Sequence, residues 1–263
     1  MIHMNTIPHL RTVSYMKKLM GLMLCAVLLV VLAQGALAQG KLKVATEAGF
    51  MPFEFVAEDG SLMGFDMDLM KAIADKLDME LTIDNISWDG LIPALQNGNY
   101  DAIMAGITIT PERAQSVAFS EPYFESVLTI VVRSNNNDIT DLDSLKGKTV
   151  AVQISTTGDY AAEEIEGIGG LLRYNTVPEA MQNVIMGTAH AMVIDLPVAE
   201  AYLAANPNAP LKHVGPVADN EFFGIAVHKE NTELLAKINW ALAQLHADGT
   251  YDAIYNTWFG VQE

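Results

Sequence analysis

The chain has 263 residues, 51% of them hydrophobic and 18% charged, enough apolar material for one large or two ordinary domains and too much for a disordered tail. Its 32 Asp and Glu against 15 Lys and Arg give a net charge of −17, a surface that repels nucleic acid and anionic lipid, so neither is an expected partner. A single cysteine, Cys25, excludes a disulfide framework and thiolate metal sites.

Residues 1–38 read as a secretory signal peptide. Arg11, Lys17 and Lys18 precede the apolar run Leu19 to Leu32, and Ala36-Leu37-Ala38 forms a small-residue cleavage site. The run is short for a membrane span. Met16, opening "MKKLMGLML", makes a more ordinary start than Met1. Leu24 stands where a lipoprotein signal needs a small residue before Cys25, so a lipid anchor is not expected and the chain is expected to be exported. Removing this leader leaves 12 basic against 32 acidic residues, a net charge of −20.

Beyond the leader, "KLKVAT" (41–46) predicts a buried strand, and "FDMDLMKAIADKL" (65–77) a helix with Leu69, Ile73 and Leu77 at four-residue spacing. "ELTIDNI" predicts a strand, "WDGLIPALQNG" a short helix closed by Gly98, and "YDAIMAGITI" another strand. The polar stretch "VRSNNNDITDLDSLKGK" reads as a connection with one short helix. A second α/β unit follows: strand "TVAVQI", helix "TTGDYAAEEI", helix "VPEAMQNVIMG", strand "AHAMVID" and helix "LPVAEAYLAAN". "FFGIAVHK" predicts one more strand, and "NTELLAKINWALAQLHADG" a helix with an apolar stripe of Leu235, Ile238, Leu242 and Leu245 stopped at Gly249. Strands alternating with helices indicate α/β architecture with mainly parallel sheets covered by helices.

Ligands of open α/β sheets lie beyond the carboxyl ends of the strands, where four junctions here carry polar or aromatic groups. In "GITITPER", Thr110 is a candidate N-cap and Pro111 a first helical residue, which puts Arg113 in a first turn where a cation opposes the helix dipole unless an anion sits beside it. Gly106 would admit a ligand to the backbone, Thr108 offers a hydroxyl, and Arg113 can grip a carboxylate with two hydrogen bonds; a surface ion pair with Glu112 or Glu121 suits Arg113 equally well. In "QISTTGDY", Thr156 and Thr157 offer hydroxyl and backbone donors to the same anion, although Thr-Thr-Gly is also ordinary capping chemistry. In "MVIDLP", Asp195 is either a plain N-cap or a carboxylate that balances an ammonium group. "VATEAGFMPFEF" and "SWDG" add Glu47, Phe50 and Trp88, two aromatics for an aliphatic stem and an acid for its polar tip; core packing is the alternative for the aromatics.

Enzyme motifs are missing: there is no Gly-x-Ser-x-Gly, no phosphate-binding loop and no Gly-x-Gly-x-x-Gly. His190, His213, His228 and His246 lack metal-ligand spacing, so no metal or cofactor is expected.

The stretches "VATEAGFMPFEF", "GFDMDLMKAIA", "LIPALQNGNYDAIMAGITITPERAQSVAFSEPYF", "LKGKTVAVQ" and "ADGTYDAIYNTWFG" resemble the periplasmic amino-acid-binding proteins of ABC importers (solute-binding protein family 3), most closely the glutamine-binding members. The resemblance covers nearly everything after the leader. It implies a type II two-lobed fold joined by two hinge strands, with residues 39–124 and 222–263 in one lobe and 125–221 in the other. It puts the carboxylate-binding Arg on Arg113 and the ammonium-binding acid on Asp195. The anion-binding positions fall on Gly106, Thr108, Thr156 and Thr157, the aromatic sandwich on Phe50 and Trp88, and Ala105 is a further ligand-binding position.

Three positions depart from the glutamine-binding pattern, which has Asp at Glu47, Lys at Gln153 and His at Ile194. Neutral Gln153 leaves Glu47 without a cationic neighbour, which favours a positively charged ligand tip, and an acid at Glu47 also occurs in members that bind arginine, lysine or histidine. The expected function is capture of a basic amino acid or glutamine by lobe closure and delivery to an ABC membrane permease, by a monomer. The alternatives are a prephenate or arogenate dehydratase on the same scaffold, with Glu47 as its acid, and a partner that presents the amino acid to a sensor.

Overall fold

The computed structural model describes residues 40–260, so the leader, with Cys25 and the cleavage site, lies outside the described residues. The first half runs β1 (Gly40–Thr46), β2 (Gly49–Phe50), β3 (Glu54–Val56), β4 (Leu62–Met63), α1 (Phe65–Lys76), β5 (Met79–Asn85), α2 (Leu91–Gln96), β6 (Ala102–Ile103) and β7 (Val117–Phe119). There follow β8 (Phe124–Arg133), β9 (Thr149–Gln153), α3 (Thr157–Glu163), β10 (Gly170–Tyr174), α4 (Val177–Met186), β11 (Ala191–Asp195), α5 (Leu196–Ala205) and β12 (Leu211–Phe223). The chain closes with β13 (Ala226–His228), α6 (Thr232–Ala247) and α7 (Thr250–Phe259).

Two five-stranded sheets organise the molecule, ordered β5-β1-β6-β13-β7 and β10-β9-β11-β8-β12, each lying in its own lobe. In the first, β1 and β6 are parallel, while β13, arriving from the far end of the sequence, runs antiparallel to both β6 and β7. In the second, β9 is parallel to β10 and β11, and β8 is antiparallel to β11 and β12. Strands β9 and β11 read as continuous apolar runs because they are central and buried on both faces. The paired strands β8 and β12 extend from Arg133 opposite Leu211 to Phe124 opposite Phe223, and the chain enters β13 just beyond.

Local chemistry sets the helices. Helix α1 buries Leu69, Met70, Ile73 and Ala74, with Asp66 and Asp68 in its first turn and Lys76 in its last, as the helix dipole favours. Helix α4 starts on a capping box between Thr176 and Glu179 and ends at Gly187, whose φ of 80° lies in the left-handed region.

Several elements differ from the sequence-based expectation. "YDAIMAGITI" pairs as a ladder only at Ala102–Ile103, because Gly106 turns the chain at φ 51°. "FFGIAVHK" is split: Phe223 ends β12 in one sheet and Ala226 opens β13 in the other. The buried stripe of α6 begins at Leu234 rather than Leu235. Helix α7, unassigned from sequence, carries Tyr251, Tyr255 and Phe259 at four-residue spacing against Phe65, with Tyr255 and Phe259 also on Phe124.

Those rings belong to an aromatic cluster with Phe53 at its centre. Phe53 is fully buried, and its ring centroid lies 4.7 Å from Phe124, 5.2 Å from Phe223 and 5.4 Å from Phe259. Phe53→Ala is expected to destabilise the protein by about 3–5 kcal/mol, the usual cost of emptying a buried aromatic site. Urea titration followed by circular dichroism measures it; a midpoint equal to that of the wild type would show that the cluster is dispensable.

Candidate functional site

All eleven residues singled out above line one cavity between the lobes, together with Glu54. The space free of protein atoms within it, open solvent included, is about 310 Å³. Ile194 does not line it: its side chain is buried in the hydrophobic core, so the third of the three departures has no direct contact with the cavity.

Arg113 is 7% exposed. Thr110 does accept from the Arg113 backbone N–H, at 3.1 Å, but the turn that follows is a single 3-10 turn, Arg113–Gln115, too short for the dipole argument made from sequence. The guanidinium is held instead by two backbone carbonyls, Nη1 donating to Thr108 at 2.9 Å and Nη2 to Ser155 at 3.1 Å, and it lies over the Trp88 ring 5.4 Å from the centroid. Trp88 Nε1 donates to the same Ser155 carbonyl at 3.3 Å. Neither Glu112 nor Glu121 pairs with Arg113 within 4.0 Å; burial lowers the guanidinium pKa, and the nearest charges, Glu221 and Asp195 among them, oppose that.

Gly106 earns its place differently than expected. A Cβ there would meet the Phe50 ring at 2.6 Å, so the absent side chain makes room for an aromatic wall rather than for a ligand. The Gly106 N–H donates to Asp66 Oδ2 at 2.9 Å, and the Tyr123 hydroxyl donates to the same oxygen at 2.7 Å. Beside Asp66 lies fully buried Glu54. Burial raises both carboxyls, Asp66 to about 6 and Glu54 well above its ordinary value, and the neighbouring Asp66 pushes Glu54 further in the same direction. The carboxyls of Glu54 and Asp66 meet side chain to side chain in this buried spot.

The threonine hydroxyls are committed within the protein. Thr156 Oγ1 caps α3, accepting from the Asp159 N–H at 3.1 Å and donating to the Gln153 carbonyl at 2.8 Å. Thr108 and Thr157 both donate to Glu221 Oε2, at 3.0 and 2.8 Å. The capping alternative thus holds for Thr156.

Asp195 occupies the N-cap position of α5 but makes no side-chain cap. Its Oδ1 accepts from the Ser126 hydroxyl at 2.6 Å, and burial pushes its pKa up to about 7 despite that bond. Glu47 is raised by burial as well, and Gln153 Nε2 donates to its Oε2 at 3.1 Å. Neither acid has a cation within 4.0 Å among the described residues. Sequence reasoning missed Glu54, Asp66, Ser126 and Glu221; the first two sit in the quoted "PFEF" and "GFDMD" stretches and read there as ordinary strand and helix residues.

Comparison with known proteins identifies the family. Residues 42–261 match the family model of bacterial extracellular solute-binding proteins, family 3. The ABC transporter arginine-binding protein 1 of Escherichia coli is 33% identical over 248 residues, covering 93% of this chain and 99% of its own. Solved structures of an ancestral arginine-binding protein, one bound to arginine and one bound to glutamine, are 47% identical with a TM-score of 0.82; each comparison covers 84% of this chain, and 99% and 98% of those chains respectively. These relatives are binding proteins, not enzymes. The chain is a member of family 3 of the bacterial extracellular solute-binding proteins, a two-lobed α/β binder of amino acids.

Proposed function

We propose that this protein captures a basic L-amino acid, with arginine the first candidate and glutamine the second, and delivers it from the periplasm to an ABC permease. The observation that carries the reading is the charge of the cavity: two acids with no cation within 4.0 Å among the described residues, Glu47 and Asp195, line it, with Arg113 as the one cation among the described lining residues. A ligand bringing two cationic groups and one carboxylate complements that wall better than one bringing a single ammonium. The names of the relatives support it: arginine and glutamine both occur as ligands of the ancestral protein.

In this mechanism Arg113 takes the ligand carboxylate with the N–H groups it does not spend on Thr108 and Ser155, and Asp195 takes the ammonium. Phe50 and Trp88 flank the aliphatic stem, and Glu47, oriented by Gln153, meets the cationic tip. Thr156 and Thr157 bring in the other lobe, and with Ala105, Gly106 and Thr108 they shape the wall around the charged groups. Taking residues 39–124 and 222–263 as one lobe and 125–221 as the other, the ligand stabilises the closed form because it contacts both, and the permease reads that closed form.

Calorimetry of ligand-stripped protein against the twenty amino acids tests the choice of ligand; tight glutamine binding without an arginine or lysine signal would overturn the cationic preference. Removing one partner of a buried charge pair costs roughly 3–5 kcal/mol, so Arg113→Ala and Asp195→Ala are each expected to lower affinity at least about a hundredfold. Near-normal affinity in either variant would remove that residue from the site.

Asp195 also predicts a pH dependence with an unusual sign. Its folded pKa of about 7 lies above the ordinary value of 3.8, so the folded protein holds this proton more tightly than the unfolded chain does. The associated stability is fully present below pH 3.8 and is lost as pH rises toward 7. Without ligand, Tm is expected to be higher at pH 5 than at pH 8, with a smaller difference in Asp195→Asn. Affinity for the amino acid is expected to rise through pH 7, because the ammonium needs the ionised carboxylate. Thermal scans and calorimetry at the two pH values measure both; equal pH dependence in wild type and Asp195→Asn would refute the assignment.

A further inference from the structure

Glu221 stands near the end of β12, directly across from Ser126 in the antiparallel β8–β12 pair. Each of these two residues sends its side chain to the site: Ser126 donates to Asp195, and Glu221 Oε2 accepts from the hydroxyls of Thr108 and Thr157. Glu221 itself does not line the cavity. The two hydroxyls come from opposite sides of the cleft. Thr108 follows β6 of the first sheet and bridges Phe223, whereas Thr157 is the first residue of α3, which follows β9 of the second.

One oxygen can hold both hydroxyls only while the sides stay together, since an O–H···O bond reaches little beyond about 3 Å. Both bonds are charge-assisted, roughly twice as strong as neutral ones. A second set of contacts crosses the cleft beside it, at the Ser155 carbonyl, but its acceptor is uncharged and its donors belong to Arg113 and Trp88, which line the cavity.

We propose that Glu221 is the closure latch of this protein: a positioning residue that bridges Thr108 and Thr157 on one carboxylate oxygen, holds the lobes shut, and so sets how long a ligand stays rather than which ligand is chosen. The residence-time part of this rests on the proposal that an amino acid binds between the lobes. The latch itself needs no ligand.

Stopped-flow release and small-angle scattering test it on the mature protein. Glu221→Ala is expected to raise the release rate about tenfold while the association rate changes by less than about threefold, and to weaken arginine, lysine and glutamine by a common factor. Ligand-stripped Glu221→Ala is expected to have a larger radius of gyration than the stripped wild type. Release within twofold of wild type, or loss of arginine with glutamine unaffected, would overturn the latch. If Glu221→Ala does not fold, a double-mutant cycle between Glu221→Gln and Thr157→Val replaces it. Coupled effects on release support the bridge, and additive effects overturn it. Should the wild type bind none of the twenty amino acids, the proposed function fails, while the scattering comparison still decides the latch.

Discussion

A carboxylate taken out of water costs several kcal/mol unless donors or a cation replace the solvent, and this molecule buries four of them around one cleft. Glu47, Glu54, Asp66 and Asp195 are all less than 9% exposed. Each is met differently. Asp66 receives two donors, Gly106 and Tyr123; Glu54 lies against Asp66, and burial pushes its pKa well up; Glu47 and Asp195 receive one neutral donor each, from Gln153 and Ser126. The first two are thereby settled within the protein and serve as framework. The last two remain undercompensated, and the only cation on the cavity wall is a guanidinium already engaged with two carbonyls.

That division explains the construction of the surrounding fold. Asp66 opens α1, and its oxygen holds the backbone of Gly106, so the first turn of a core helix fixes the wall against which Phe50 packs. The aromatic cluster around Phe53 lies behind this wall and includes Phe124 and Phe223, the residues where β8 and β12 meet the first lobe. The crossing between the two sheets is therefore packed with rings on one side. On the other it carries polar side chains, Ser126 and Glu221, that reach the site. Packing and charge compensation meet at the same two strands.

The alternation of strand and helix was legible because central strands such as "TVAVQ" and "AMVID" are unbroken apolar runs, and helices such as α1 show clean four-residue spacing. Strand β12 was not, since "LKHVGPVADNEFF" mixes Gly, Pro and charges; it is largely exposed and its register shifts twice. Helix α7 was obscured by Thr, Asn and aromatic residues of modest helix propensity, and its three rings become a pattern only once their partners are known. In the site, Arg113 and Asp195 stood out because charged residues at strand ends are conspicuous. Glu54, Asp66 and Glu221 did not, because nothing local separates a buried acid from a surface one. Their meaning comes from pairings across 12 residues for Glu54 with Asp66, 40 for Asp66 with Gly106 and 113 for Glu221 with Thr108.

The hydroxyl bonds to Glu221 also change how the common part of an amino acid must be read. A guanidinium has five N–H donors, and Arg113 gives one to Thr108 and one to Ser155, so three remain. A threonine hydroxyl has one proton, and those of Thr108 and Thr157 go to Glu221 while that of Thr156 goes to the Gln153 carbonyl. In the function proposed above, Arg113 and backbone N–H groups would therefore be the first donors to an incoming carboxylate. The hydroxyls keep lone pairs, however, and these can accept from an ammonium group. With Asp195 nearby, the three threonines are then better suited to the cationic end of the ligand than to its anionic end. In the function proposed above the cleft would then have a simple polarity: one guanidinium for the carboxylate, and carboxylates and hydroxyl lone pairs for the positive charges the ligand brings.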